Sequence, residues 1–403
     1  MEISKKKLGR SALAFIVLMG FVSMCSDVTH EGARGILGAY LSLAGASAAA
    51  IGFVSGLGEL VGYSLRLFSG LLADRTKKYW TITVLGYIVD AFSIPALALV
   101  PRGGWVWACA LMVVERTAKA VKKPAKDTLL SFAAAQNGVG KSFAIQEFLD
   151  QFGAFIGPLM LFLVLYFRRG ADEFSSYSLC FAVLFVPAAA TVTLLLIAKK
   201  LFPNPENFEP ETAGSAQKLH VNGAFLFYIA AISFVAFGFA DFTLITMHAA
   251  KSGLFATDAL PLLYAGAMAV DAAAALLFGW LYDKYGIGVL MVSTLASAPF
   301  AVFAFGVETR WAMLLGAALW GVGMGSQESI LKAAVTSIVP KQSRSSGFGI
   351  FQTSFGIFWF LGSWLMGALY DASTAWMIAV SVAAQLAAVP FFWLSAKKFA
   401  AAR

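Results

Sequence analysis

Stretches of about 20 mostly apolar residues, the length an α-helix needs to cross the hydrocarbon core of a bilayer, recur from end to end of this 403-residue chain. Inside lipid every backbone N–H and C=O must find a partner within the protein, which restricts such a chain to helices or a closed barrel. Apolar runs this long fit helices. The chain is 59% hydrophobic and 13% charged, with a mean hydropathy of +0.77, whereas soluble domains are roughly half apolar and a quarter charged. No room remains for a separate soluble domain of ordinary size.

Hydropathy places twelve spans at about 11–43, 47–69, 80–100, 105–123, 143–167, 176–198, 221–247, 259–281, 287–307, 311–333, 346–369 and 374–396. The first is longer than one crossing needs, and Asp27 to Arg34 interrupts its apolar character, so it is expected to curve or to project beyond the membrane. Lys5-Lys6-Lys7 ahead of an apolar run imitates a secretory signal. The run from Ala12 to Met24 passes into a helix-compatible charged stretch with no small-x-small cleavage site, and reads as an uncleaved first span.

Lys and Arg in short loops set orientation. With the N-terminus inside, the inner segments hold Lys5, Lys6, Lys7, Arg10, Arg75, Lys77, Lys78, Lys122, Lys123, Lys126, Lys141, Lys199, Lys200, Lys218, Lys284, Lys341, Arg344, Lys397, Lys398 and Arg403. The outer loops hold only Arg102, Arg168, Arg169, Lys251 and Arg310. A multi-pass protein of the cytoplasmic (inner) membrane with both termini cytoplasmic is expected. The net charge of +8 is thus accounted for by loops, and its scatter argues against a nucleic-acid partner. Cys25, Cys109 and Cys180 all lie in apolar spans without metal-ligand spacing, and read as small packing residues.

The longest polar interruption, Lys199 to Asn222 with Pro203, Pro205 and the acidic stretch Glu206 to Glu211, falls at mid-chain. It divides an N-terminal six-helix bundle (1–198) from a C-terminal one (223–403), with 199–222 as a cytoplasmic linker. An internal repeat supports the division: Gly70-Leu71-Leu72-Ala73-Asp74-Arg75 returns as Gly279-Trp280-Leu281-Tyr282-Asp283-Lys284, and Ser142-Phe143-Ala144-Ile145 as Gly347-Phe348-Gly349-Ile350. Repeated halves suit two bundles that rock about a central site.

At these residues the chain resembles the major facilitator superfamily. Gly70, Leu72, Asp74, Arg75 and Lys78 match the family's loop signature between helices 2 and 3, with Lys77 in place of the usual glycine. Gly279, Leu281, Asp283, Lys284 and Gly286 form a weaker second copy without the trailing arginines. The resemblance implies a latch that holds the cytoplasmic side shut in the outward-facing state, and a fold of twelve transmembrane helices in two pseudo-symmetric six-helix bundles, an all-α membrane protein. Gly153-Ala154-Phe155-Ile156-Gly157-Pro158 is similar to the family's antiporter motif, except that Leu159 and Met160 follow where a glycine pair is usual. Gly153, Gly157 and Pro158 serve equally well for close helix packing and a bend. Glu115 to Asp127 and Ser26 to Arg34 resemble a largely uncharacterised prokaryotic branch.

An ionisable side chain near the bilayer centre costs roughly 2.5–3.5 kcal/mol on insertion scales, so its presence marks pairing, water or function. Asp27, Glu31 and Arg34 share one helical face at i, i+4 and i+7, with His30 beside them, and Glu59 and Arg66 repeat the i, i+7 spacing. The fourth span offers Glu115, with Arg116, Lys119 and Lys123 on an adjoining face. The fifth offers Glu147, Asp150 and Gln151, and the third adds Asp90. In the second half stand Asp241, Asp271, Gln327, Glu328, Lys332 and Gln352. Spans 1, 2, 4, 5, 7, 8, 10 and 11 line the cavity in the resembled fold, which directs most of these charges inward.

Several groups admit plainer readings. Glu328 and Lys332, or Glu59 and Arg66, serve as structural ion pairs. Lys122, Lys123 and Lys126 read as inner-surface anchors, His30 as a hydrogen-bonded residue near the outer face, and Trp320, Trp359 and Trp364 as packing aromatics. Functionally, Arg116 and Lys119 suit a polar or anionic solute. Asp27, Glu31, Glu147 and Asp150 are the expected proton carriers, since a solute that displaces a basic partner changes a carboxylate's proton affinity. There is no G-x-x-x-x-G-K-[ST] for ATP and no H-E-x-x-H, so neither an ATP-driven pump nor a zinc hydrolase is expected. The expectation is a non-enzymatic, monomeric secondary transporter in a lipid bilayer, coupled to protons with no cofactor, moving a small solute with export preferred. A hydrophobic-drug exporter is the alternative, and a metal exporter using Asp27, His30 and Glu31 a further one.

Overall fold

A computed structural model describes residues 2–137, 139–208, 223–338 and 344–401. The side chains of Asp74, Glu147, Asp283, Glu328 and Lys332 lie outside the described set, as do residues 209–222 of the expected linker. The described chain is helical throughout: α1 Glu2–Leu43, α2 Ala48–Thr76, α3 Tyr79–Ser93, α4 Trp105–Asn137, α5 Val139–Phe167, α6 Glu173–Val183, α7 Phe185–Leu201, α8 Gly223–Gly238, α9 Phe242–Lys251, α10 Leu260–Tyr285, α11 Val289–Ser297, α12 Arg310–Ile338, α13 Arg344–Ala372 and α14 Thr374–Ala401. A 3₁₀ turn, Pro95–Leu99, extends α3, and a π turn, Val302–Gly306, extends α11. Because α6 and α7, and α8 and α9, are each one rod with a break, the fourteen helices make the twelve rods that hydropathy demands.

Among the described residues nine rods are both long and apolar enough to cross a membrane. The α4 rod is not among them, since its 33 residues carry Glu115, Arg116, Lys119, Lys122, Lys123, Lys126 and Asp127. A helix so charged is stable in lipid only where other helices neutralise it.

The break between α8 and α9 is a departure from the continuous seventh span that hydropathy gives. Asp241 adopts an extended backbone and its Oδ1 accepts a hydrogen bond from Thr243 N at 2.9 Å, capping α9. The carbonyls freed by the break find donors on neighbouring rods. Trp320 Nε1 donates to Ala240 O at 2.9 Å, and Ser381 Oγ donates to Gly238 O at 2.6 Å. Irregular backbone at membrane depth persists only when it is satisfied in this way. Trp320, fully buried, is therefore a packing and hydrogen-bonding residue.

Contacts group the chain into two compact units, Met1–Ala33 with Leu65–Gly214 and Arg34–Ser64 with Ser215–Arg403. The hairpin of residues 34–64, which the sequence repeat assigns to the first bundle, thus packs within the second unit. Glycine makes this possible: a Cβ at Gly56 would come within 2.9 Å of Phe360 Cα, and one at Gly52 within 3.2 Å of Gly367 Cα. At the start of α2 the carboxylate of Asp371 accepts from the backbone N–H of Ala48 and Ala49, at 3.1 and 2.8 Å. These are two of the four donors a helix N-terminus leaves unpaired. Asp371→Ala is expected to cost about 0.5–2 kcal/mol, read as a lower thermal unfolding midpoint, with Asp371→Asn retaining part of it.

In the first unit, Phe15, Trp80, Phe202 and Phe208 form a buried aromatic cluster, and Trp80 Nε1 donates to Phe202 O at 3.1 Å. Residues 202–208 of the expected linker are therefore anchored in this unit.

Candidate functional site

The first unit encloses a group of ionisable side chains that no single span discloses. His30 on α1, Asp90 on α3, and Glu115 and Lys122 on α4 are 6, 0, 4 and 4% exposed. His30 Nε2 lies 3.0 Å from Asp90 Oδ2, and His30 Nδ1 lies 3.2 Å from Glu115 Oε1. The first contact is a hydrogen bond. The second is at ion-pair distance without well-aligned hydrogen-bond geometry. Lys122 donates its ammonium to the same Asp90 Oδ2, stands 3.7 Å over the Tyr87 ring, and reaches Ser26 Oγ at 3.4 Å. Arg116 Nε is 3.4 Å from the second oxygen of Glu115. Buried charges survive by pairing, and here two carboxylates meet two fixed cations with an imidazole between them.

The scaffold follows from local sequence. Glu115, Lys119, Lys122 and Lys126 recur at i, i+4, i+7 and i+11, a single stripe along α4. Lys126 donates to Ser23 Oγ at 2.6 Å. Gln146 on α5 bonds Ile16 O at 2.8 Å and lies 3.4 Å from Ser23 Oγ, tying α5 to α1. These helices approach closely where glycines face each other: a Cβ at Gly157 would come within 2.8 Å of Gly32 N and inside contact with the Val28 carbonyl, and one at Gly153 within 3.1 Å of Met24 Cα. Pro158 lies inside α5, one residue beyond this crossing. Asp27, half-buried one turn before His30, feels the charges of Lys119, Glu31, His30 and Lys126.

The remaining candidates from the sequence are spread more widely. Glu31, Arg116, Lys119 and Asp150 are half-buried in this unit, as is Arg66 on α2. In the second unit, Arg34 Nη2 lies 3.6 Å from Asp241 Oδ2, so Asp241 both caps α9 and faces a guanidinium. Asp271 is fully buried on α10 where α12 crosses closely, a Cβ at Gly321 coming within 3.2 Å of Asp271 N. Gln327 is buried and Glu59 half-buried. Lys122 differs from its expected place at the inner surface: Asp90 supplies the counter-charge that lets it stay buried. The sequence signal for this was available in the α4 stripe and in Asp90, the only acidic residue of α3.

At the first loop signature a Cβ added at Gly70 would meet Pro124 Cβ at 3.5 Å, ordinary contact distance, while Arg75 and Lys78 are exposed. Beside Gly279 the space is open, and Lys284 stands over the rings of Trp280 and Tyr285 at 5.6 and 5.2 Å. Lys77, where the family signature has glycine, takes a left-handed φ of +56°, and its N–H closes α2 on Ala73 O at 2.8 Å. A non-glycine residue is strained there. Lys77→Gly relieves a left-handed penalty of roughly 1–2 kcal/mol against a glycine entropy cost of about 0.5–1 kcal/mol, so a modestly raised unfolding midpoint is expected.

A family model described as Major Facilitator Superfamily matches residues 226–402. A Mycobacterium tuberculosis protein called Uncharacterized protein Rv2265 is 37% identical over 94% of this chain and 92% of its own length. An MFS-type transporter of Methanocaldococcus jannaschii is 25% identical over 89% of both chains. Among solved structures, the nucleoside transporter NupG is similar with a TM-score of 0.69 at 16% identity, over 96% of this chain and 98% of that one.

Proposed function

We propose that this chain, which belongs to the Major Facilitator Superfamily, is a proton-coupled secondary transporter that moves a small polar or anionic solute across the cytoplasmic membrane by alternating access, with export preferred. Membership makes it a multi-pass membrane transporter, and its fold is that of the superfamily. One observation carries proton coupling and the solute class: the buried cluster of His30, Asp90, Glu115 and Lys122 on α1, α3 and α4. Ion pairs kept there at the cost of desolvation are natural places for a proton to enter and leave. Lys119 and Arg116, half-buried beside the cluster, supply positive charge of the kind that suits an oxyanion. The preference for export rests on the resemblance of Gly153 to Pro158 to the antiporter motif.

The cluster suits a proton better than a metal ion. One ligand atom from each of His30, Asp90 and Glu115 lies within 4.8 Å of the others. The two carboxylates, however, address different nitrogens of the ring, whereas one ion would need both on the side of a single lone pair. The ammonium of Lys122 already neutralises Asp90.

The test is transport by purified protein in proteoliposomes under an imposed pH gradient, across a panel of organic anions, polar metabolites and hydrophobic cations. Solute movement that follows the gradient, for an anionic or polar compound, is the expected result. Movement of hydrophobic cations alone would favour the drug-exporter reading, and movement indifferent to the gradient would refute coupling.

A further inference from the structure

Ring geometry at His30 carries a more specific reading, which rests on the proton coupling proposed above. Both ring nitrogens lie beside a carboxylate oxygen: Nε2 is hydrogen-bonded to Asp90 at 3.0 Å, and Nδ1 is 3.2 Å from Glu115, at ion-pair distance. A neutral imidazole has one N–H and one lone pair. It can therefore satisfy one of these oxygens, and must then set its lone pair against the negative charge of the other. Only the imidazolium, with a proton on each nitrogen, is attracted to both. The ring is 6% exposed, so water offers little relief from the mismatch.

Other charged groups stand around the ring. Asp27 and Glu31 lie on its own helix, Asp90 and Tyr87 on α3, and Glu115, Arg116, Lys119 and Lys122 on α4. Lys122 is held on Asp90 and Arg116 against Glu115. Of the groups in the clasp itself, His30 alone has an ordinary titration range near neutral pH.

We infer that His30 is a proton-binding site of the transporter: in this conformation it is the imidazolium, clasped between Asp90 and Glu115, and loss of one proton releases α1 from α3 and α4. On release the ring gives one proton to water and loses its charge, while Asp90 and Glu115 keep theirs beside Lys122 and Arg116. The attraction between α1 and one of its two partners becomes repulsion. This converts a change of protonation into a change of helix packing, which a coupled transporter requires. The role falls to a residue other than Asp27, Glu31, Glu147 or Asp150, the carboxylates at which the sequence points.

The direct test uses the full chain in lipid nanodiscs, labelled with ¹⁵N-histidine. His220→Gln and His248→Gln remove the other two imidazoles. Nitrogen chemical shifts distinguish a ring protonated on both nitrogens from either neutral tautomer. Backbone hydrogen exchange over residues 23–33, corrected for the intrinsic effect of pH, reports whether α1 loosens. The expected result is two protonated nitrogens at neutral pH, and one proton lost on raising the pH with at least a tenfold rise in exchange over 23–33. A neutral tautomer at neutral pH overturns the inference, and so does an imidazolium that titrates with exchange unchanged. Transport separates this inference from the coupling reading. Wild-type transport that ignores the pH gradient refutes coupling, and the carrying role of His30 with it. His30→Gln protein that still couples fully refutes the inference and leaves coupling standing.

Discussion

Asp90→Ala is expected to destabilise the protein by about 3–5 kcal/mol, the cost of leaving a buried charge without its partner. Asp90 is fully buried and Lys122 is 4% exposed; once the carboxylate is gone, the ammonium retains, among the described residues, Ser26 Oγ at 3.4 Å and the Tyr87 ring at 3.7 Å. The Asp90→Ala, Lys122→Met double variant should recover most of the loss, because replacing a buried ion pair by apolar groups is far less costly than halving it. Thermal unfolding of the wild type, both single variants and the double variant forms the cycle that isolates the pair. A double variant no more stable than Asp90→Ala alone would show that Lys122 is not held by Asp90.

Gly157→Val should be nearly as damaging, by a different route. A Cβ at Gly157 would fall inside contact with the Val28 carbonyl and within 3.0 Å of Gly32 Cα. These are backbone atoms of a continuous helix, which cannot turn aside as a flexible side chain does. Overpacking of this kind costs about 1–3 kcal/mol and at times more. Here it also drives α1 from α5 within two residues of His30. The expected outcome is a lower unfolding midpoint together with impaired transport, while Gly279→Ala, placed where the space is open, should leave the midpoint nearly unchanged.

How much of this the sequence disclosed depends on what each residue had to signal. Helix length and number were legible because lipid leaves a chain few alternatives. The mid-helix breaks were not. Asp241 looks like an intramembrane charge until its side chain is seen to cap α9, a role hydropathy does not distinguish from a cavity-lining one. For the site, sequence located the charged rods but not how they turn toward one another. Hydropathy gives depth along a helix, whereas pairing needs azimuth. Lys122 sits among Lys123 and Lys126 near a proline, the usual pattern of an inner-surface anchor, and its burial depends on Asp90, 32 residues away on α3. The same holds for His30, whose partners lie 60 and 85 positions further along the chain. Periodicity within α4 carried the needed hint, because Glu115, Lys119, Lys122 and Lys126 recur at i, i+4, i+7 and i+11 on one stripe.

The central claim, a proton-coupled carrier whose first unit houses the coupling charges, is tested most directly by measuring lumenal pH in proteoliposomes while solute moves. With an entrapped pH indicator and no imposed gradient, adding a transported polar or anionic solute should change the lumenal pH in step with solute flux. The ratio of protons to solute should be fixed in the wild type and fall in His30→Gln. Solute flux at the full wild-type rate with no proton movement would contradict the account.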